Sequence, residues 1–229
     1  LLEELKSDPD SFYFARWTCL FSLLIFYLPD FQNLFNSATV RDSKEPIFVL
    51  DYIGDTSLGN YSTDYITPLS GIRANDYYGV GQEGWAVLTS NINVYNDWHY
   101  QDYRRAVSYD TIGLFEVTDA ITGVKSNVEI KYNDPPLTTD PNDVGGFQAQ
   151  DARNKNWPGI AKYTRFRGTS GGNGRASSIN YLLMRYAEVL LIAAEAANEI
   201  AKGNVSTEAH GWVNEVRARA RNGAAGSAG

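Results

Sequence analysis

Asn180-Tyr-Leu-Leu-Met-Arg-Tyr-Ala-Glu-Val-Leu-Leu-Ile-Ala-Ala-Glu-Ala-Ala-Asn-Glu199, followed downstream by Trp212-Val-Asn-Glu-Val-Arg-Ala-Arg-Ala220, is the stretch whose spacing decides the fold. Leu182, Tyr186, Val189, Ala193, Ala196 and Ile200 recur at alternating steps of four and three, and Leu183, Ala187, Leu190, Ala194 and Ala197 form the adjoining stripe. Such steps stack side chains on one side of an α-helix, so the spacing predicts a helix with a broad apolar face over this run. Arg185, Glu188, Glu195 and Glu199 fall on the opposite side, with Arg185 and Glu188 within i,i+3 reach of an ion pair. Gly203 supplies a helix stop, Ser206 a cap for the next helix, and Ala209, Trp212, Val213, Val216 and Ala220 its inner face. The short connection predicts an antiparallel hairpin over about 178–221. Its many alanines permit close approach, as in stacked helix-pair repeats, although one hairpin does not make a repeat array.

Upstream of the hairpin the pattern is weaker. Residues 1 to about 35 read as helical with a breaker at Pro29, and the apolar run Trp17–Leu28 is twelve residues long. A membrane span needs about 20 apolar residues, so this run predicts a buried helix. Glu45–Tyr52 reads as a short buried strand. From Gly54 to about Tyr109 the sequence mixes Gly, Asn, Asp and Ser with Tyr and Trp, which suits ordered loops better than regular elements. Phe115–Val117 and Asn127–Tyr132, with a turn near Thr122-Gly123, predict a β-hairpin. A polar loop, Asn133–Asn156, precedes a further expected strand, Ile160–Phe166, and a Gly-rich segment, Gly168–Gly174.

Composition narrows the function classes. The net charge of -7 argues against nucleic acid as a partner, because that affinity rests on clustered Lys and Arg. The single cysteine, Cys19, excludes an intrachain disulfide framework. The informative excess is aromatic: 15 Tyr, 10 Phe and 5 Trp, many of them set in polar, Gly-rich stretches where rings can form contact surfaces. No basic stretch leading to an apolar core opens the chain, so the true N-terminus is expected to lie upstream.

The C-terminal hairpin sequence resembles the SusD/RagB family, and three upstream blocks agree with it. Lys44-Glu-Pro-Ile-Phe-Val-Leu-Asp-Tyr52 is similar to the family's "KE-hydrophobic" strand, Asp102-Tyr-Arg104 to its D-x-R segment, and Lys162-Tyr163 to its K-Y strand. The order and spacing of these blocks match over about residues 25 to 221. The resemblance implies a mainly α fold of tetratricopeptide-like helix pairs with a few short strands and a large loop-rich region. Residues 1–229 would then be an incomplete part of a single domain, with the ligand region at about 53–175 and the helical hairpin at about 178–221. It further implies a non-catalytic protein of the outer membrane of Bacteroidetes-type bacteria, exposed at the surface. Such a protein captures glycan and passes it to a TonB-dependent transporter barrel. Members are held by an N-terminal lipid anchor; Cys19 is not in a lipobox, so the anchor is expected outside this chain.

Sugar recognition needs flat apolar surface for pyranose C–H faces, with amides and carboxylates beside it for hydroxyls. Asn75–Arg104 offers both, and the expected stacking residues are Trp85, Trp98, Tyr77, Tyr78, Tyr95 and Tyr100, with Asn75, Asp76, Asn96 and Asp97 as hydrogen-bonding partners. Asp102 and Arg104 read as a structural pair anchoring a loop end. Gly79–Gly84 matches the dinucleotide fingerprint formally, but neither a preceding strand nor a following helix supports it, and its glycines read as turn residues. A glycosidase would draw its two carboxylates from Glu83, Asp97, Asp102 and Asp110, yet no spacing selects a pair. With only His99 and His210, a Ser-His-Asp site or a His-rich metal site has little material, and the Asp-rich loop 134–143 lacks EF-hand spacing. No cofactor is expected. The competing function is a helical-repeat scaffold that binds a protein and no sugar.

Overall fold

The computed structural model describes residues 30–54, 64–74, 84–119, 121–136, 144–168, 177–202, 204 and 206–221. A 3-10 helix at Phe31–Phe35 leads into α1 (Ser37–Val40) and β1 (Pro46–Leu50). Three short helices follow, α2 (Ile66–Ser70), α3 (Ile92–Asp97) and α4 (Tyr103–Ser108). Then come β2 (Tyr109–Asp110), β3 (Ile112–Thr118), β4 (Lys125–Lys131), α5 (Gly146–Gln150), β5 (Gly159–Ile160) and β6 (Tyr181–Arg185). The long helices α6 (Tyr186–Ile200) and α7 (Thr207–Arg221) close the described chain. The fold is mainly helical, and its strands form two-stranded antiparallel ribbons, β1–β6, β2–β5 and β3–β4.

The helical hairpin forms, but only one of its two stripes is buried. Ala187, Leu190 and Ala194, from the adjoining stripe, face inward against Val216 and the half-buried Trp212, whereas Ala196 and Ile200 are exposed. Burying a leucine such as Leu190 contributes about 1.5–3 kcal/mol, and the alanines around it let the two helices approach. Ser206 caps α7 by accepting from the Ala209 N–H at 3.2 Å. The predicted helix start is corrected: residues 181–185 are strand, paired with β1, and α6 begins only at Tyr186. Tyr186 N–H donates to the Glu45 carbonyl at 3.0 Å, so pairing across the chain prevails over local periodicity.

Glu45 explains that junction. It is fully buried and receives Arg219 Nη1 at 2.7 Å on both carboxylate oxygens and Arg185 Nη1 at 3.2 Å on one. Arg185 therefore pairs with Glu45 rather than with the expected Glu188, because it sits at the end of β6 beside β1. The expected buried strand at 45–52 is also corrected: Phe48 is 60% exposed and Ile47 and Leu50 are exposed too, because a ribbon of two strands leaves one face uncovered. Around the ion pair lie Arg219, Arg185 and Lys162, each within 5.7 Å of the Phe31 ring centroid. The Lys162 pKa is drawn down to about 8 by burial and by the nearby Arg185 and Arg104.

Asx residues open most of the short helices. Asp30, Asn36, Asp64, Asn91 and Asp102 each accept a backbone N–H two residues on, at 2.9–3.0 Å, the local bond that makes Asp and Asn strong helix starters. Much of the expected loop region is thus helical in single turns. The β3–β4 hairpin matches expectation, with Gly123 at φ +66° in its turn, a conformation that favours glycine. The strand expected over 160–166 shrinks to Gly159–Ile160, paired with Tyr109–Asp110, after which Arg165 N–H turns back to the Ala161 carbonyl at 3.0 Å. The expected Trp17–Leu28 helix lies outside the described residues, and so do residues 169–174 of the Gly-rich segment.

Two further cores hold the loop region. Phe31, Leu34, Phe35, Val107 and Ile179 form one, and Ala74, Phe115, Ile130 and Phe147 the other. Asp64 fastens the first region by exchanging backbone hydrogen bonds with Ser177 at 2.9 and 3.1 Å. Burial pushes its carboxyl above the usual range, against hydrogen bonds from the Ile66 and Thr67 N–H groups and the Thr67 hydroxyl. A raised folded pKa gives stability that is present below the unfolded value and lost as pH rises through the folded one. Asp64→Asn keeps an acceptor for Ile66 N–H and removes the charge. It is expected to raise Tm at pH 7, with the difference from wild type narrowing toward about pH 4 in thermal unfolding.

Candidate functional site

The residues after Gly84 run beside α2 through backbone hydrogen bonds: Gly84 N–H to Ile72, Trp85 N–H to Pro68, Ala86 N–H to Gly71, and Leu88 N–H to Leu69, at 2.6–2.9 Å. Gly84 serves close approach and not a turn, since a Cβ there would overlap the Gly71 carbonyl. This track leaves Trp85 half-buried, its ring tilted 37° to Tyr65 with centroids 6.1 Å apart. Tyr65 is exposed and was not among the expected residues.

A second aromatic group forms where α3 ends and α4 begins. Trp98 caps α3, donating its N–H to the Val94 carbonyl at 3.1 Å, and Asp102 N–H closes the turn on the His99 carbonyl at 3.0 Å. Within this tight turn Tyr100 is 75% exposed and stacks on His99 with centroids 4.9 Å apart and planes at 21°. Asn96 and Asp97, at the end of α3, are exposed beside them. Trp98 is half-buried, its ring perpendicular to Tyr109 at 6.0 Å, and the Arg104 guanidinium lies 5.9 Å from its centroid. The turn thus presents Trp98, His99 and Tyr100 in succession, with polar groups on the preceding residues.

Tyr95 does not belong to this surface. It is buried, with the Arg105 guanidinium 3.8 Å from its ring centroid and the rings of Tyr109 and Tyr132 meeting it nearly at right angles at 5.1 and 5.9 Å. Packing on several sides commits that ring to the interior. Asn75, Asp76, Tyr77 and Tyr78 lie outside the described residues, as does Glu83. No ring contact joins Trp85 to Trp98 among the described residues.

The carboxylates have structural work. Asp102 forms a fork with Arg104, Nε to Oδ1 at 2.9 Å and Nη2 to Oδ2 at 2.6 Å, as expected of that pair. Its burial raises the pKa, but hydrogen bonds from Arg104 and the Trp98 indole together with the Arg104 charge leave it below the usual carboxylate range. Asp110 is buried and paired with Arg165 Nη2 at 2.7 Å, and Arg165 also reaches Gln32 Oε1 at 3.1 Å and the Ala106 carbonyl at 3.1 Å. Two of the four carboxylates weighed for glycoside hydrolysis are therefore held in ion pairs. Asp134 accepts from Lys131 N–H at 2.8 Å, and loop residues 137–143 fall outside the described set. No group of three or more His, Cys, Asp or Glu that could hold a metal ion occurs among the described residues. No helix among them is long and apolar enough to cross a membrane.

With this geometry in place, comparison with known proteins is decisive: the model of the SusD family matches residues 44–226. The chain belongs to the SusD family. SusD-like protein P2 of Formosa agariphila is 45% identical over 195 residues, which are 85% of this chain and 34% of that protein. The chain thus spans about a third of the length of this curated SusD-like relative. Among solved structures, a SusD homolog from Bacteroides thetaiotaomicron superposes with a TM-score of 0.59 at 23% identity, over 89% of this chain and 38% of that one. Surface glycan-binding protein A from the same species, in complex with laminarihexaose, gives 0.55 at 20% identity, over 95% of this chain and 41% of that one. At such identities the likeness to the solved SusD-type structures is one of fold. Of the residues that carry the resemblance to the family, Glu45 pairs with Arg185, Asp102 forks onto Arg104, and Lys162 lies over the rings of Phe31 and Phe35.

Proposed function

We propose that this SusD-family chain is the part of a non-catalytic surface protein that grips glycan through the Trp98-His99-Tyr100 turn, with Asn96 and Asp97 meeting sugar hydroxyls. The observation that carries the reading is the exposed, stacked His99–Tyr100 pair next to the half-buried Trp98. Rigid rings at the tip of a short turn offer apolar area at small entropic cost, and exposed amide and carboxylate groups beside them supply direction. The Tyr65–Trp85 pair is a second, separate stacking surface for a longer chain. Asn75, Asp76, Tyr77 and Tyr78, which lie in the same sequence stretch, are further ligand contacts in this proposal.

Family membership supports the rest: residence at the bacterial outer membrane and delivery of the bound oligosaccharide to a TonB-dependent transporter. The α6–α7 hairpin is in this reading one unit of a tetratricopeptide-like scaffold. Its open groove of about 510 Å³ between Leu191, Ala194, Ala209 and Val213, with Leu191, Ile192 and Ile200 exposed, supports that reading.

An oligosaccharide array that includes laminarihexaose, probed with the full-length protein, tests the proposal. Trp98→Ala combined with Tyr100→Ala is expected to weaken binding of the responding sugar at least about tenfold, since stacked rings each contribute on the order of 1 kcal/mol or more, while circular dichroism stays unchanged. Unaltered binding by this double variant, or no response to any sugar by the wild type, would overturn it. Release of product from polysaccharide would instead point to a glycosidase.

A further inference from the structure

The Trp98 ring lies against charged neighbours, Arg104 and Asp102. Asp102 accepts from Arg104 backbone N–H at 3.0 Å, which starts α4, and the same carboxylate holds the Arg104 guanidinium by three contacts of 2.6–3.2 Å. The fork sets the guanidinium 5.9 Å from the Trp98 centroid, at the outer range of a cation–π contact. On another side the ring meets Tyr109 edge-on at 90°. Trp98 itself is the C-cap of α3, a few residues before the N-cap Asp102, so the fork and the indole are fixed to the two ends of one tight turn.

We propose that Asp102 and Arg104 are positioning residues for glycan stacking: the fork sets the angle at which Trp98 meets a sugar, without either residue touching it. This rests on the stacking role given to Trp98 above, and it adds that the pair governs affinity through the ring. A purely architectural pair would change stability alone. A pair that contacts sugar directly would act whether or not the indole were present.

The test uses full-length protein labelled with 5-fluorotryptophan, the Trp98 resonance being identified by its loss in Trp98→Phe. Asp102→Asn keeps a good helix cap and weakens the fork. Arg104→Lys keeps the charge and loses the fork geometry. Both are expected to shift or broaden the Trp98 fluorine line and to leave the other tryptophan lines in place. Unchanged Trp98 lines in both variants overturn the proposal, whatever happens to sugar binding.

The second arm titrates laminarihexaose and the strongest array ligand into the same variants. Arg104→Lys is expected to weaken binding about tenfold in the wild-type background and to have no further effect on Trp98→Phe. Equal, additive losses in both backgrounds contradict positioning and place Arg104 on the sugar itself. If Trp98→Ala binds as tightly as wild type, the glycan reading of this turn fails, an outcome that the fluorine spectra keep separate from the state of the fork.

Discussion

Glu45→Ala is expected to destabilise the folded chain by about 3–5 kcal/mol, measured as a fall in the denaturation midpoint with an unchanged slope. The reason is the charge left behind. Arg219 is 5% exposed and directs Nη1 at both Glu45 oxygens at 2.7 Å, so removing the carboxylate takes two charge-assisted contacts from a buried guanidinium. Arg185 loses its 3.2 Å partner at the same time, next to the point where β6 becomes α6. Both arginines and Lys162 lie within 5.7 Å of the Phe31 ring centroid, so the anion is lost from a cluster of cations. Glu45→Gln keeps an oxygen acceptor and is expected to lose less. Should Glu45→Ala prevent folding outright, the glutamine variant still gives a midpoint to compare, and a loss under about 1 kcal/mol would contradict the role assigned to this contact.

Arg165→Ala should cost a similar amount, about 3–5 kcal/mol, for the same physical reason at a different place. Arg165 and Asp110 have side chains only 7% and 9% exposed, and Arg165 spans the 3-10 helix through Gln32, α4 through the Ala106 carbonyl, and β2 through Asp110. Alanine removes the guanidinium donors from those acceptors and the 2.7 Å ion pair from Asp110. Joint replacement, Arg165→Met with Asp110→Leu, is expected to recover a large share of the loss, because a buried pair exchanged for apolar groups of similar volume is often close to neutral. Equal destabilisation by the single and double variants would show that the hydrogen bonds to Gln32 and the backbone, and not the buried charge, dominate.

The helical part of the fold was legible because α6 and α7 are 15 residues each, long enough for a 3.6-residue period to stand out. Residues 181–185 were not, since Leu182 and Leu183 satisfy the helical stripe and a paired strand alike. What decides between them is pairing with β1, preceded by Glu45, which lies 140 residues from Arg185 in sequence. The same distance hid the ion pair: a local reading offered Arg185 the nearest carboxylate, Glu188, while the structure supplies one from the other end of the described chain. Single-turn helices such as α2 and α3 are too short to show periodicity, and only the Asp64 and Asn91 side chains that accept from their first turns offer a signal.

In the candidate site the density of rings was visible and their separation was not. Tyr95 and Tyr100 belong to one aromatic stretch, yet one is buried beneath Arg105 and the other is 75% exposed, because α3 turns its Tyr95 side toward Tyr109 and Tyr132. His99 stacks on Tyr100, and its place in sequence between Trp98 and Tyr100 is the one local clue to that contact. Tyr65 carried none, since its partnership with Trp85 arises from the backbone track along α2.

Whether the turn at 96–100 holds sugar is decided by a crystal structure of the full-length protein with its strongest array ligand bound. A pyranose ring is expected to lie face-on to Trp98 or Tyr100, with hydroxyls reaching Asn96 or Asp97. Sugar density seated on a surface away from this turn, with Trp98 and Tyr100 uncovered, would contradict that expectation.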